Sequence, residues 1–254
     1  PDIADLALFL DFDGTLAEIA ERPELAAIPG QLKKRLAQAQ TELDGALAVV
    51  SGRTIADLDQ LLAPLELAAA GIHGLELRAE PGGPVLAASG EVLPPEVRAR
   101  LDALAAEYPE LLIEHKGESA AIHYRKAPEL AERVRLATEC ILDELGEDFR
   151  LQAGKMVVEL RPADGDKGEA IRHLMQAETF VGRRPLFIGD DITDEAGFDA
   201  VNALGGWSVF VGEENPATRA RYRLDDVASV RAWLGEVFDD RHGNGRDTGE
   251  MAAQ

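Results

Sequence analysis

Four short stretches of this sequence place carboxylate, hydroxyl and ammonium groups where chemistry is possible. Asp11 and Asp13 close the first apolar run, in LALFLDFDGTL. Ser51-Gly52-Arg53 follows a second apolar run, Asp166-Lys167-Gly168 opens a helical pattern, and Gly189-Asp190-Asp191 ends another apolar run with Asp194 a turn later. Taken singly, each has a bland explanation, because Asp-Gly is common in turns and acidic residues cap helices. Taken together they are costly. If strand ends gather Asp11, Asp13 and Asp190, mutual repulsion is severe unless a hard cation sits among them, and magnesium suits such an oxygen-rich set. A hydroxyl from Ser51 and a cation from Lys167 face the same place, with Arg53 at the entry to a helix. Cations and a metal ion together imply a phosphoryl group.

Such groups meet only if the elements that carry them end side by side. Five apolar runs lack alternation and read as strands buried on both faces: LALFLDF (6–12), ALAVVSG (46–52), ELAAAG (66–71), PLFIGDD (185–191) and WSVFVG (207–212). Helical patterns alternate with them at 30–43, with Leu32, Leu36, Ala39 and Leu43 on one stripe, at 54–62 behind a Thr54 cap, at 167–177 and at 193–203. Strand alternating with helix predicts a doubly wound parallel α/β sheet, and ligands bind such sheets beyond the carboxyl ends of the strands. Residues two apart on a strand share a face, so Asp11 and Asp13 can serve one site, while Gly14 lets the backbone turn close to it and Thr15 steadies that turn.

The middle of the chain has another rhythm. A helix (94–107), a strand pair (111–116 and 119–125, turning at Gly117), a second helix (128–145) and a second strand pair (149–153 and 156–161, turning at Gly154) predict an inserted α+β domain. The expected division is 1–84 with 163–238 as the core, 85–162 as the insert, linkers near 85–93 and 162–166, and a disordered polar tail over 239–254. Trp207, Phe210, Trp233, Met156 and Met175 are assigned to packing, and Gly189 to a turn.

Charge and composition exclude several functions. A formal net charge of −21 disfavours nucleic acid and anionic membranes as partners. Cys140 is the single cysteine, which rules out an internal disulfide and a cysteine metal cluster and suits a reducing compartment. No apolar run approaches the ~20 residues of a membrane span. The expectation is a soluble cytoplasmic protein acting on a small molecule, as a monomer or weak dimer.

The order DFDGT, SGR, Lys167 and GDDITDE resembles the haloacid dehalogenase (HAD) superfamily of phosphohydrolases and matches all four of its motifs. That resemblance implies a Rossmann-like core with an inserted cap. It makes Asp11 the nucleophile and Asp13 the general acid and base. It also implies Ser51, Gly52, Arg53 and Lys167 around the phosphoryl group, and magnesium held among Asp11, Asp13 and Asp190, with Asp191 and Asp194 holding its waters or orienting the helix. Three further stretches, GIHGLE (71–76), EHKGESAAIHYR (114–125) and GKMVVELRP (154–162), look like those of trehalose-6-phosphate phosphatases, a likeness running over residues 6–235. Glu114, Lys116 and Glu159 are then implied to reach the sugar from the cap, and His73, Gly74 and Glu76 to line the core side. The substrate implied is trehalose 6-phosphate. Another sugar phosphate, such as that of sucrose or mannosylglycerate, and phosphotransfer are the rival readings within enzymes. A phosphate-accepting receiver domain is the rival outside them, disfavoured by the insert and by the Asp11–Asp13 pair. His123 and Arg125 are open between packing and binding.

Overall fold

The computed structural model describes residues 3–19, 26–87, 92–163 and 165–238. The expected tail from Asp239 lies outside them, as do parts of both expected linkers, at 88–91 and 164.

The first apolar runs form strands whose residues are buried on both faces, β1 (Leu6–Leu10) and β2 (Leu47–Val50), separated by helix α1 (Gly30–Glu42). Helix α2 (Ile55–Leu62) starts where expected, with the Thr54 hydroxyl accepting the Asp57 N–H at 3.0 Å. Strands β3 (Ala68–Gly71), β4 (Glu76–Arg78) and β5 (Leu86–Ala87) follow. The inserted segment comprises α3 (Pro95–Glu107), β6 (Leu112–His115), β7 (Ala120–His123), α4 (Ala131–Leu145), β8 (Phe149–Gly154) and β9 (Val157–Pro162). The chain then returns through α5 (Lys167–Leu174), β10 (Arg184–Gly189), α6 (Glu195–Ala203), β11 (Trp207–Val211), β12 (Tyr222–Leu224) and α7 (Val227–Phe238).

Two sheets result among the described residues. The larger has eight strands in the order β12-β11-β10-β1-β2-β3-β4-β5. Its first six are mutually parallel, and β4 and β5 add antiparallel at one edge. From β1 the chain winds through β2 to β3 on one side, and after the insert it winds from β10 to β12 on the other. Strand order therefore reverses between β1 and β10. The crossovers diverge there, leaving a crevice at the carboxyl ends of those two strands. Register carries the pairing to that end, since Leu10 lies opposite Ile188 and the Asp11 N–H donates to the Ile188 carbonyl at 2.9 Å.

The second sheet is antiparallel, ordered β6-β7-β9-β8, with α3 and α4 against it. It has its own apolar cluster, including Val97, Leu101, Ile122, Val134, Ile141, Phe149 and Leu160. The main core centres on Leu8, Phe9, Leu10, Val49, Phe187 and Phe198, with Phe9 stacked on Phe180 at 5.4 Å between ring centres. Each such fully buried side chain is worth about 1.5–3 kcal/mol in transfer free energy, which makes the two apolar clusters separate sources of stability.

Several sequence expectations change. Strands β4, β5 and β12 are short and partly exposed, without the apolar run that marked the others. The β8–β9 hairpin turns at Lys155-Met156, since Gly154 still pairs with Val157. Met156 lies in the left-handed region, φ 63, and is 43 % exposed, so it does not pack. Met175, Trp207 and Trp233 do lie against the main core, and Phe210 is within it. Gly189 is the last strand residue, and what requires glycine there is close approach: a Cβ would stand 2.4 Å from the Asp194 carboxyl carbon.

Candidate active site

The crevice at the reversal point collects the groups that the sequence had scattered. Asp11 leaves β1 and Asp190 leaves β10, both buried, and Asp194 follows on a short 3-10 turn before α6. One carboxylate oxygen from each of Asp11, Asp190 and Asp194 lies within 4.8 Å of the other two. Lys167, the first residue of α5, is buried beside them. Its Nζ donates to Asp11 Oδ1 at 2.7 Å and to Asp194 Oδ1 at 2.5 Å. The position is fixed at the helix start, where the Asp166 side chain accepts the Glu169 N–H at 2.8 Å.

Burial and crowding set the charges. Burial raises the Asp11 carboxyl well above its usual range, with the Lys167 ammonium opposing and Asp194 and Asp190 adding to the rise. Asp190 is pushed up to about 6, chiefly by burial and then by Asp194. Lys167 is raised despite its burial, because two carboxylates hold its proton. Asp190 Oδ1 is buried with no hydrogen-bond partner. Three converging carboxylates and an unpartnered inward oxygen form a donor set that suits a hard divalent cation. Gly14 permits the arrangement: at φ 86, a Cβ there would sit 2.1 Å from Asp190 Oδ2.

Asp194 does more than face the cluster. Its Oδ2 accepts the N–H groups of Asp190 and Asp191, at 2.8 and 2.9 Å, so it shapes the loop while Oδ1 engages Lys167. The Asp191 side chain accepts the Ile192 N–H at 2.7 Å and caps that turn. The Asp13 carboxylate is gripped at both oxygens by Arg53, Nε to Oδ2 at 2.6 Å and Nη2 to Oδ1 at 2.7 Å. Arg53 thereby meets Asp13 directly, across the mouth of the site. The Ser51 hydroxyl is buried and accepts the Arg53 N–H at 3.2 Å.

A cleft opens from these residues toward the inserted sheet. Asp11, Asp13, Ser51, Gly52, Arg53, His73 and Lys167 line its core side, and Glu114, Lys116, His123, Arg125, Gln152 and Glu159 its opposite wall. The walls touch. His73 Nε2 donates to Glu159 Oε2 at 3.0 Å, Lys116 Nζ to the Gly52 carbonyl at 2.7 Å, and Lys155 Nζ to Asp190 Oδ2 at 2.5 Å. Burial opposes ionisation of Glu159, but Lys116, His73 and the Ser119 hydroxyl outweigh it and hold the carboxyl below its usual range. Burial lowers His73, against the pull of Glu159.

Similarity to known proteins narrows the chemistry. Residues 9–228 match the family model described as trehalose-phosphatase. The chain belongs to the trehalose-phosphatase family. The trehalose-6-phosphate phosphatase of Escherichia coli K12 is 40% identical over 231 residues, covering 91% of this chain and 86% of that protein. A probable trehalose-phosphate phosphatase of Sinorhizobium fredii is 42% identical over 236 residues, covering 93% and 88%. In fold, the C-terminal domain of a C. albicans trehalose-6-phosphate phosphatase aligns with TM-score 0.82 at 23% identity, covering 93% of this chain and 92% of that one. A HAD-superfamily phosphatase from Bacteroides thetaiotaomicron aligns with TM-score 0.61 at 14% identity, covering 92% and 95%. This trehalose-phosphatase family member is thus a phosphatase with a Rossmann-like α/β core and a cap.

Within that frame, two residues expected at the sugar lie elsewhere. Gly74 and Glu76 are not on the wall of the cleft. The Glu76 carboxylate accepts the Ile55 N–H at 2.6 Å and tethers the start of α2. Gly74, at φ 108, is required where a Cβ would meet the Asp166 carbonyl at 2.9 Å. His123 and Arg125 do face the cleft; His123 Nε2 lies 3.1 Å from Glu114 Oε2, and Arg125 donates to the Lys155 carbonyl at 3.1 Å. Sequence reasoning overlooked Lys155, Gln152 and Arg161. Arg161 is wholly buried, donating to Gln152 Oε1 at 2.9 Å and to the Gly165 carbonyl, which Arg150 also holds. Its place beside Glu159 in VVELRP, where two charged residues alternate with apolar ones in a strand, was the available signal.

Proposed function

We propose that the chain is a magnesium-dependent phosphatase that releases trehalose and phosphate from trehalose 6-phosphate through an aspartyl phosphate on Asp11. The observation that carries this is the buried Asp11–Asp190–Asp194 cluster, bridged by Lys167, at the floor of a cleft roofed by a second sheet. Residues 1–84 and 163–238 are read as the catalytic core, and 85–162 as the cap that selects the alcohol, hinged near 85–93 and 162–166. Asp11 and Asp190 would hold the cation, with Asp194 and Asp191 shaping its loop. When bound, the ion supplies charge neutralisation on the phosphoryl oxygens and on the crowded carboxylates.

The chain's own residues carry the remaining steps. An Asp11 oxygen attacks phosphorus, the bond to the sugar oxygen breaks, and a protonated Asp13 gives its proton to the departing alcohol. Asp13 must leave part of its Arg53 pairing for that transfer. As a carboxylate again, it takes a proton from water, whose oxygen attacks phosphorus and returns Asp11 as a free carboxylate. Lys167 and the Ser51 hydroxyl offset charge spread over the phosphoryl oxygens. On the cap side, Glu114, Lys116 and Glu159, with His73 below, offer the charged and directional partners that sugar hydroxyls require.

The deciding measurement is phosphate release from a panel of disaccharide and monosaccharide phosphates, with and without magnesium. Trehalose 6-phosphate should be cleaved fastest, and only with the metal. Hydrolysis of glucose 6-phosphate at an equal rate would refute the substrate, and undiminished turnover in a chelator would refute the metal.

A further inference from the structure

We propose that Lys155 is an internal rival of the core's divalent cation: its ammonium sits on one oxygen of the Asp190 carboxylate, beside the unpartnered oxygen that the cation would use, so that cation binding repels it and releases the cap turn from the core. The inference rests on the magnesium reading above.

Lys155 is one of two residues in the β8–β9 turn, delivered there by a backbone that needs Met156 in the left-handed region. Its side chain is half exposed, whereas that of Asp190 is 4% exposed. Nζ lies 2.5 Å from Asp190 Oδ2 and 3.3 Å from the Asp190 carbonyl oxygen. The turn therefore projects an ammonium from the solvent side onto the carboxylate that, with Asp11 and Asp194, makes up the acidic cluster. The hairpin is close elsewhere too, since a Cβ on Gly154 would stand 3.4 Å from Asp191 Oδ2.

A dication placed among those carboxylates and an ammonium 2.5 Å from one of them repel each other, and charges so far inside a Debye length are little screened by salt. One must yield. Lys155 can, because its half-exposed chain reaches water by rotating, while Lys167 cannot, being buried between two carboxylates. Two other cap–core hydrogen bonds, Lys116 to the Gly52 carbonyl and His73 to Glu159, lie on the sugar side of the cleft. Loss of the Lys155 contact alone loosens the metal end of the mouth, so the cation would open the path for the sugar phosphate before it arrives.

Manganese, titrated by calorimetry into the substrate-free protein, tests this without turnover. Lys155→Met should bind Mn2+ about fivefold more tightly than wild type, the order expected for losing a partly exposed ion pair as competitor. Lys155→Arg, which keeps the charge, should stay near wild type. Amide exchange across Phe149–Pro162 should speed up when Mg2+ is added to wild type, and be fast and unresponsive in Lys155→Met. Equal Mn2+ affinity in wild type and Lys155→Met, or wild-type exchange that ignores Mg2+, would overturn the inference. Wild-type protein that binds no Mn2+, or Asp190→Asn that binds it undiminished, would instead overturn the magnesium reading.

Discussion

Lys167 holds two buried carboxylates at once, and that sharing decides what its loss would do. Truncating it leaves Asp11 and Asp194 facing each other without a counter-charge, the case in which breaking a buried pair is most damaging. Lys167→Met should cost about 3–5 kcal/mol of unfolding free energy in metal-free protein, and added Mg2+ should restore part of it. Denaturant titration with and without the metal reads both. A loss under about 1 kcal/mol would mean the pair is solvated. His73 gives a prediction in pH. Burial lowers its pKa beneath the ordinary 6.5, so below that value the unfolded chain takes a proton that the folded chain refuses. Stability should therefore fall as pH drops from 6.5 toward the lowered folded value. Glu159, with its pKa depressed below 4.5, adds stability above 4.5 that is lost only under more acidic conditions. His73→Gln should thus flatten the melting-temperature decline between about pH 7 and pH 5, leaving the acid limb. An unchanged decline would assign it to other groups. Asp11, Asp13, Asp190 and Lys167 were legible because each ends an apolar run or opens a helix. Lys155 was not: a lysine in a turn reads as solvated, and nothing local tells that the turn lands on a carboxylate 35 residues away.

Elements are positioned by contacts as narrow as those of the site. Helices α5 and α6 meet at Gly168, where a Cβ would lie 2.4 Å from the Ala196 carbonyl oxygen. Backbone cannot swing aside as a flexible side chain can. Gly168→Ala must push the helices apart, and α5 carries Lys167 on its first residue while α6 follows the Asp194 turn. The expected cost is about 1–3 kcal/mol of stability, as for other overpacked sites, with a larger fractional loss of kcat than rise in KM. Native kcat in a folded variant would show that the helix pair has slack. Helices α1 to α6 and the core strands β1, β2, β3, β10 and β11 were legible from apolar period and length, and the Thr54 cap from one residue. The short outer strands β4, β5 and β12 were not, because two or three residues with partial exposure carry no pattern; neighbours already in the sheet supply their hydrogen bonds. The start of α6 was misplaced for a related reason. Asp190 belongs to the strand end and Asp194 to a 3-10 turn, so their spacing of four reflects a loop folded on its own N–H groups.

At the scale of the whole molecule, charge works against the reaction. A net charge of −21 repels a phosphate monoester, and the cleft only partly answers it, with five basic and six acidic side chains on its walls. A bound cation shifts that local balance to the favourable side, but its reach is set by salt. The Debye length falls from ~30 Å at 0.01 M to ~8 Å at 0.15 M, so added salt screens the distant negative surface before it screens contacts inside the cleft. kcat/KM for the sugar phosphate should therefore rise about two- to threefold over that range at saturating Mg2+, the reverse of steering by an opposite charge. kcat should hold steady, because a bound substrate feels mainly the nearby groups. Steady-state rates in choline chloride at fixed free Mg2+ measure both. A monotonic fall of kcat/KM from the lowest salt would mean that the mouth of the cleft already presents a positive field at long range, and that the surplus acids lie on the far side of the protein.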